Sequence, residues 1–485
     1  MRARYLTTTL PYVNADPHVG FALEVVKADV VARLWHSQGD DVFFNTGTDE
    51  HGQKVWQEAV KRGMEPQAYA DEYAEKFRIL KEKLDLYPEL HFIRTTDPHH
   101  KKAAQEFWER CKNNIGPDGP DIYKKNYKVK YCVGCELEKT DSELVNGRCQ
   151  LHPNIEIDII DEENYFFRFS RYQQPLLDLY ASHPGFVIPD FRQNEICLFV
   201  ERGLQDFSIS RLKKKMPWGI EVPDDQEHVM YVWFDALINY ISTLGWPEDT
   251  DNFKKFWGTQ EQPNALQFGG KDNLRQQSAM WQAMLMSAGL PNSKQILIQG
   301  FVMSGGQKMS KSLGNVINPL ELVEKYGTDA VRYVLLRHTS PFEDSDLTLE
   351  AIHEHYTAHL TNGLGNLVAR VMKLSEQYLP QPIEEPNIEG TYPPEISHYI
   401  WEFRFNEAMD FIWEYIQRGD KNITEREPFK VVKGDQQKGI QMIYEFVQEL
   451  YLIAHFLAPF MPATSETIKK AVRENKKPEN LFPRV

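Results

Sequence analysis

Hydrophobic positions change period along this chain. Tyr5 to Leu10 is rich in Thr and in aromatic or aliphatic side chains, which predicts a strand. From Phe21 onward, Leu23, Val26, Val30 and Leu34 recur at helical spacing. Val42, Phe43 and Phe44 then read as a second, buried strand. Strand, helix and strand in close succession form a βαβ unit, which implies a parallel sheet. Further on the rhythm breaks into short alternating segments such as Tyr165 to Phe169, with turn signals between them. It then returns: Met230 to Phe234 reads as strand, Asp272 to Ala288 as helix and Gln295 to Ile298 as strand. The last part is helical, with Leu360, Leu364, Leu367, Val371 and Leu374 on one face and Phe446, Val447, Leu450, Ile453 and Leu457 on another. Pro380 to Pro394 is a Pro-rich connector inside it.

The expected fold class is α/β: a doubly wound parallel, Rossmann-like domain split by a connective insertion, followed by an α-helical bundle. The expected boundaries are 1–114 and 226–320 for the two halves of that domain and 115–225 for the insertion. A linker is expected at 321–355 and the bundle at 356–485.

Composition narrows the class. At 485 residues the chain is too long for one compact core. Hydrophobic residues make up 41% and charged residues 26%, as in a soluble globular protein. The longest apolar run, Tyr451 to Met461, is broken by His455 and Pro459, so no membrane span is expected. The first ten residues hold no apolar secretion core, and a cytoplasmic protein is expected. A net charge of −15 argues against a surface coated in basic residues for non-specific nucleic-acid binding. The clusters Lys213 to Lys215 and Lys469 to Lys477 remain open to two readings, solvated faces or local basic patches.

Five cysteines without an export signal argue against a disulfide framework. Cys132-x-x-Cys135 and Cys149-x-x-His152 instead form two knuckle pairs. Three thiols and an imidazole suit a closed tetrahedral Zn²⁺ site, and a closed site is structural. Cys111 and Cys197 are expected to be buried and inert.

Two segments suggest nucleotide chemistry. Pro17-His18-Val19-Gly20-Phe21 follows the first strand and opens a helix. Backbone N–H groups and the helix dipole favour phosphate there, and Gly20 permits close approach. Alone the string is a weak signal, and its placement carries the weight. Lys308-Met309-Ser310-Lys311-Ser312 follows Ser304-Gly305-Gly306. Two lysines on a Gly-flanked loop can close over a triphosphate and stabilise a departing pyrophosphate.

On a split α/β fold, the two segments together resemble those of class I aminoacyl-tRNA synthetases. Leu10-Pro11-Tyr12-Val13-Asn14, Gly47 to Gly52, Val232 to Tyr240 and Gly270-Lys271-Asp272 further resemble segments of the methionyl-tRNA synthetase family, over nearly the whole chain. That resemblance implies catalytic roles for His18, Lys308 and Lys311. It implies ATP contacts from Pro17, His18, Gly20, Phe21, Glu24, Gly270, Lys271, Asp272, Lys308, Ser310 and Lys311, with Mg²⁺ accompanying ATP. Asp49 would hold the methionine ammonium. Leu10, Tyr12, Trp233, Ala236, Leu237, Tyr240, Gln277 and Trp281 would line the side-chain pocket. Asn366 and Arg370, four apart on one helix face, and Phe429 would read the anticodon. The 321–355 linker would contact the tRNA stem. The implied partners are tRNA(Met), ATP and L-methionine, and a monomer is expected.

Three segments depart from the family pattern. Phe21 replaces a second His or polar residue, Gln276-Gln277 replaces Phe-His, and Pro428-Phe429 replaces Pro-Trp. Two other readings stay open on these residues: a class I synthetase for another apolar amino acid, and a non-catalytic tRNA-binding relative.

Overall fold

The computed structural model describes residues 1–135, 137–309, 314–386, 388 and 392–485. β1 spans Ala3–Thr7, α1 Val19–Ser37, β2 Asp41–Thr48 and β3 His91–Arg94. They belong to a six-stranded sheet ordered Val187–Ile188, Gln295–Gln299, Ala265–Gly270, β1, β2, β3. Every pairing in it is parallel. The chain runs outward from β1 through β2 to β3, then returns to build the other side from Ala265–Gly270. The winding therefore reverses between β1 and Ala265–Gly270, where Tyr5 pairs with Ala265. In open parallel sheets ligands bind beside such a reversal, at the carboxyl ends of the strands.

α1 is buried nearly all round, so its polar residues must find partners inside the protein. Asp29 accepts from Arg332 Nη2 at 2.7 Å, from Arg33 Nε at 2.8 Å and from the Tyr87 N–H at 2.5 Å. Arg332 is fully buried and also donates to the carbonyls of Phe460 and Pro459 at 2.7 and 3.0 Å. One guanidinium thus ties the first helix to the helices that end the chain. The apolar core on this side is continuous from α1 into helices Asn366–Tyr378, Phe405–Arg426 and Gln436–Leu457.

Between the halves of the sheet lie a four-stranded sheet, in which Ile122–Cys132 pairs antiparallel with Asp158–Phe167, and a three-stranded sheet centred on Asp225–Met230. The edge strand Val187–Ile188 also comes from this stretch, so it contributes to the central sheet as well.

Four local expectations change. The first strand ends at Thr7, and Thr8 to Pro11 lie outside it. Met230 to Phe234 is not a strand, because the strand stops at Met230 and Val232–Ala236 is helical. Its β-prone residues are recruited by packing, with Phe234 edge-on to Phe107 and Trp108. Asp272 to Ala288 is three pieces: a 3₁₀ turn Lys271–Asn273, a π segment Gln276–Met280 and an α-helix Trp281–Ser287. Cys111 is buried as expected, but Cys197 is only half-buried. Among the described residues no helix is long and apolar enough to cross a membrane.

Candidate active site

A cleft of about 450 Å³ opens at the carboxyl ends of β1, β2, Ala265–Gly270 and Gln295–Gln299. At its nucleotide-facing end, His18 is the N-cap of α1, and its Nδ1 accepts from the Gly20 N–H at 3.1 Å. A neutral imidazole accepting at Nδ1 carries its proton on Nε2. The residue keeps an exposed surface and lines the cleft. Burial, then the charge of Lys308, holds its pKa below the usual value. A Cβ on Gly20 would stand 2.9 Å from this ring, so only glycine leaves both the ring and the helix start in place.

Lys308 lies opposite and is exposed, with its ammonium 4.0 Å from the centre of the Phe301 ring. Such cation–π contact gives a free ammonium a resting place without an anion. Ser310 and Lys311 lie outside the described residues. Asp272 projects from the turn after Ala265–Gly270 and is exposed to the cleft. Glu24 reaches the same floor from α1. Its carboxylate accepts from the Thr9 N–H at 2.7 Å and hydroxyl at 2.5 Å. Burial still raises its pKa to about 7 and lowers that of neighbouring Lys27 to about 7.

The other end of the cleft is more apolar. Leu10, Tyr12, Trp233, Ala236, Leu237 and Tyr240 line it, with Asp49 at the end of β2. Tyr12 and Asp49 pair as a single parallel bridge, and the Asp49 N–H donates to the Pro11 carbonyl at 3.0 Å. Asp49 is buried and faces the cleft, whereas its neighbour Glu50 is turned inward and gripped by Arg94 at 2.6 and 2.8 Å. Tyr12 and Trp233 meet edge to face, their centroids 6.2 Å apart. Gln277 comes from the π segment, and its Nε2 donates to Tyr240 Oη at 2.8 Å. Its Oε1 is buried, with no partner among the described residues.

Behind this wall is a network that joins segments far apart in sequence. Asp235, fully buried, contacts His51 Nδ1 at 2.7 Å and His100 Nε2 at 2.8 Å. His100 Nδ1 meets the Ser242 hydroxyl at 2.9 Å. Burial alone would raise the Asp235 pKa, but attraction to His51 and the bonds from both histidines outweigh it and bring it to about 2. The network locks the loop that carries Asp49 to the helix that carries Trp233.

Cys132, Cys135, Cys149 and His152 converge. Cys135 Sγ lies 3.4 Å from Cys149 Sγ and 3.2 Å from His152 Nδ1, and the other two sulfurs lie 3.8 and 4.0 Å from that nitrogen. Tetrahedral Zn–S bonds of about 2.3 Å and Zn–N bonds of about 2.0 Å require edges of about 3.5–3.8 Å. The donor set therefore fits a structural zinc ion. Gly134 is necessary, because a Cβ there would fall 2.4 Å from the His152 ring. The knuckle also forms part of the cleft wall, through Gly134, Cys135, Leu151 and His152. Lys54 ties it to the segment after β2 by donating to the Gly134 carbonyl at 2.8 Å.

Three of the expected residues do not line the cleft. Pro17 is buried, Lys271 is turned to Asp344 at 2.7 Å, and Trp281 packs behind Tyr240 with ring centroids 5.9 Å apart. Phe21 lines the cleft, but its ring packs edge-on against Phe77, 5.5 Å between centroids, which suits an apolar residue there. In the bundle, Asn366 is exposed and Arg370 is held by Asp420 at 2.6 Å and Thr424 at 3.0 Å. Phe429 is 38% exposed.

Residues 4–156 and 138–372 match the family model described as tRNA synthetases class I (M). The methionine–tRNA ligase of Thermosynechococcus vestitus is 41% identical, over 96% of this chain and 88% of its own length. This chain belongs to the methionyl class I tRNA synthetases. The methionine–tRNA ligase of Thermotoga maritima, another member of the family, is 39% identical, over 98% of this chain and 76% of its own. The fold also matches a solved member of the family, the Mycobacterium tuberculosis methionyl-tRNA synthetase in complex with methionyl-adenylate. The TM-score is 0.88 at 33% identity, over 97% of this chain and 93% of that one. The free-state structure from the same organism matches with a TM-score of 0.82 at 29% identity, over 100% and 98% of the two chains.

Proposed function

We propose that this chain is a methionine–tRNA ligase whose chemistry takes place in the cleft between β1 and Ala265–Gly270. The observation that carries the reading is the joining, in one cleft, of a helix N-terminus with a neutral His18, an exposed Lys308 and an apolar slot closed by Asp49.

Methionine enters the slot with its ammonium on Asp49 and its thioether against Trp233, Leu237 and Tyr240. A thioether is soft and apolar and packs well on aromatic faces. ATP, with Mg²⁺, lies across the α1 N-terminus, its ribose on Asp272. The methionine carboxylate is ionised at neutral pH and needs no general base. One of its oxygens attacks the ATP α-phosphorus, the bond to the β-phosphate oxygen breaks, and pyrophosphate leaves. The barrier is lowered by alignment and by donors aimed at the phosphates, the α1 amides, His18 Nε2–H and Lys308, with Lys311 assigned as the second lysine of the loop. A ribose hydroxyl of the terminal tRNA adenosine then attacks the methionyl carbonyl, and AMP departs. Zinc, held by Cys132, Cys135, Cys149 and His152, supplies shape to the cleft wall and takes no part in these steps. Asn366, Arg370 and Phe429 contact the anticodon of tRNA(Met), with Arg370 pre-set by Asp420. A monomer acting in the cytoplasm completes the proposal.

The test is charging of tRNA(Met) with labelled methionine. Stable methionyl-tRNA is expected, and its yield should fall at least tenfold when Asn366 and Arg370 are both replaced by Ala, while adenylate formation is unchanged. Failure to charge tRNA(Met) under conditions where adenylate forms would refute the tRNA assignment.

A further inference from the structure

Away from the cleft and the knuckle, three histidines meet where the sheet domain joins the bundle. His338 caps the C-terminus of helix Thr328–Arg337. His355 ends helix Leu349–His355. His359 lies one turn on, in the π segment Tyr356–Gly365. One ring nitrogen from each comes within 4.8 Å of the others. The rings of His338 and His355 lie face to face, with centroids 3.5 Å and planes 3° apart, and His359 stacks beside them at 5.4 and 5.7 Å. All three are half-buried and so within reach of solvent ions.

The geometry points to a second metal site here, in which His338, His355 and His359 bind one divalent transition ion of the zinc class and leave a fourth position to water. The chemistry of the donors supports it. Imidazole suits zinc, nickel and copper, and three of them with an open position make a recognised donor set. Two histidines one helical turn apart project from the same face, so the helix presets two of the ligands. A third from a neighbouring element closes the set.

The surrounding groups also fit. Tyr333 Oη lies 2.9 Å from His338 Nε2 and 2.6 Å from His359 Nδ1. Arg337 Nη1 also donates to this oxygen at 2.8 Å, so Tyr333 Oη has room to accept from one of the two imidazoles and gives its own proton to the other. The imidazole that donates keeps its lone pair on its second nitrogen, the usual support for a metal-bound histidine, and the other changes tautomer on binding. Arg337 is the nearby cation, and it is paired with Asp410 at 2.7 Å and rests on the Trp413 ring. Imidazole lone pairs lie in the ring plane, so the parallel pair would have to turn out of the stack to bind, bringing the nitrogens to about 3.3 Å apart, the edge set by Zn–N bonds of about 2.0–2.1 Å.

The ion would bind helix Thr328–Arg337, which carries Arg332 and packs on both α1 and helix Phe405–Arg426, to the segment leading into the bundle. It would stiffen the joint across which the proposed catalytic and tRNA-binding parts are held.

The test titrates Zn²⁺ into the full chain with its knuckle already loaded, reading metal per chain by elemental analysis after removal of free ion, together with the calorimetric isotherm. Wild type is expected to hold two equivalents, and His355→Ala one. His338→Gln, which keeps size and polarity, should also hold one, so loss does not depend on a misfolded variant. Circular dichroism and retained first-equivalent zinc report folding. A single equivalent in the wild type overturns the proposal, as do two equivalents that persist in both variants.

Discussion

Lys308 shows how the site rests and acts. Its ammonium lies on the Phe301 ring, within reach of the cleft. If it stabilises charge on the departing pyrophosphate, Lys308→Ala should slow adenylate formation about 10²–10³-fold, the scale for losing one preorganised donor. Methionine KM should stay within a few-fold, because the amino-acid pocket is untouched. Pyrophosphate exchange read against both substrates separates these effects, and a rate within a few-fold of wild type would remove the assigned role. Asp235 matters for stability instead. It ionises at about 2 in the fold against 3.8 unfolded, so between those values the native state holds fewer protons. Its contribution is complete above about pH 4 and is lost as pH falls toward 2. The shift amounts to about 2–3 kcal/mol for this fully buried group. Denaturant unfolding at pH 5 and pH 3 should show a smaller drop for Asp235→Asn than for wild type; equal drops would remove Asp235 as a source of the acid sensitivity. Motif placement made His18 and Lys308 visible in the sequence, and the family resemblance added Asp49 and Asp272. Phe301 and the His51–Asp235–His100 network were not visible, because their partners are distant in the chain and carry no local pattern.

Elements explain most of the differences between pattern and structure. The βαβ start was legible because buried parallel strands read as apolar runs and α1 repeats at helical spacing. Val232 to Phe234 read as strand because it is β-branched and aromatic, yet packing on Phe107 and Trp108 makes it helix. No period of hydrophobicity marks the π segment that presents Gln277. The zinc knuckle was legible as a metal site, but its place in the cleft wall depends on long-range packing, through Lys54 and the Gly134 carbonyl. That contact has a functional consequence. Chelation of zinc should release the knuckle, and adenylate formation should fall at least tenfold while melting of the bundle shifts little. Restoring Zn²⁺ should recover the rate. Full activity in protein shown to be zinc-free would mean that the knuckle wall is dispensable.

Across the whole molecule, one buried guanidinium and one continuous core join the sheet to the helices that follow it. The sequence pattern showed the sheet and the helices but not this joint, since Arg332 and Asp29 are ordinary charged residues until the fold brings them together. The family membership rests on nearly the full chain, and the departures at Phe21 and Gln276–Gln277 sit inside the cleft that the proposal makes catalytic. Activation of methionine by ATP is therefore the step that those departures bear on most directly. The most direct measurement is ATP–pyrophosphate exchange with each of the twenty amino acids offered separately to zinc-loaded protein. Exchange is expected with methionine at a rate at least 100-fold above any other amino acid. Exchange driven by a different amino acid, or by none in folded protein, would contradict it.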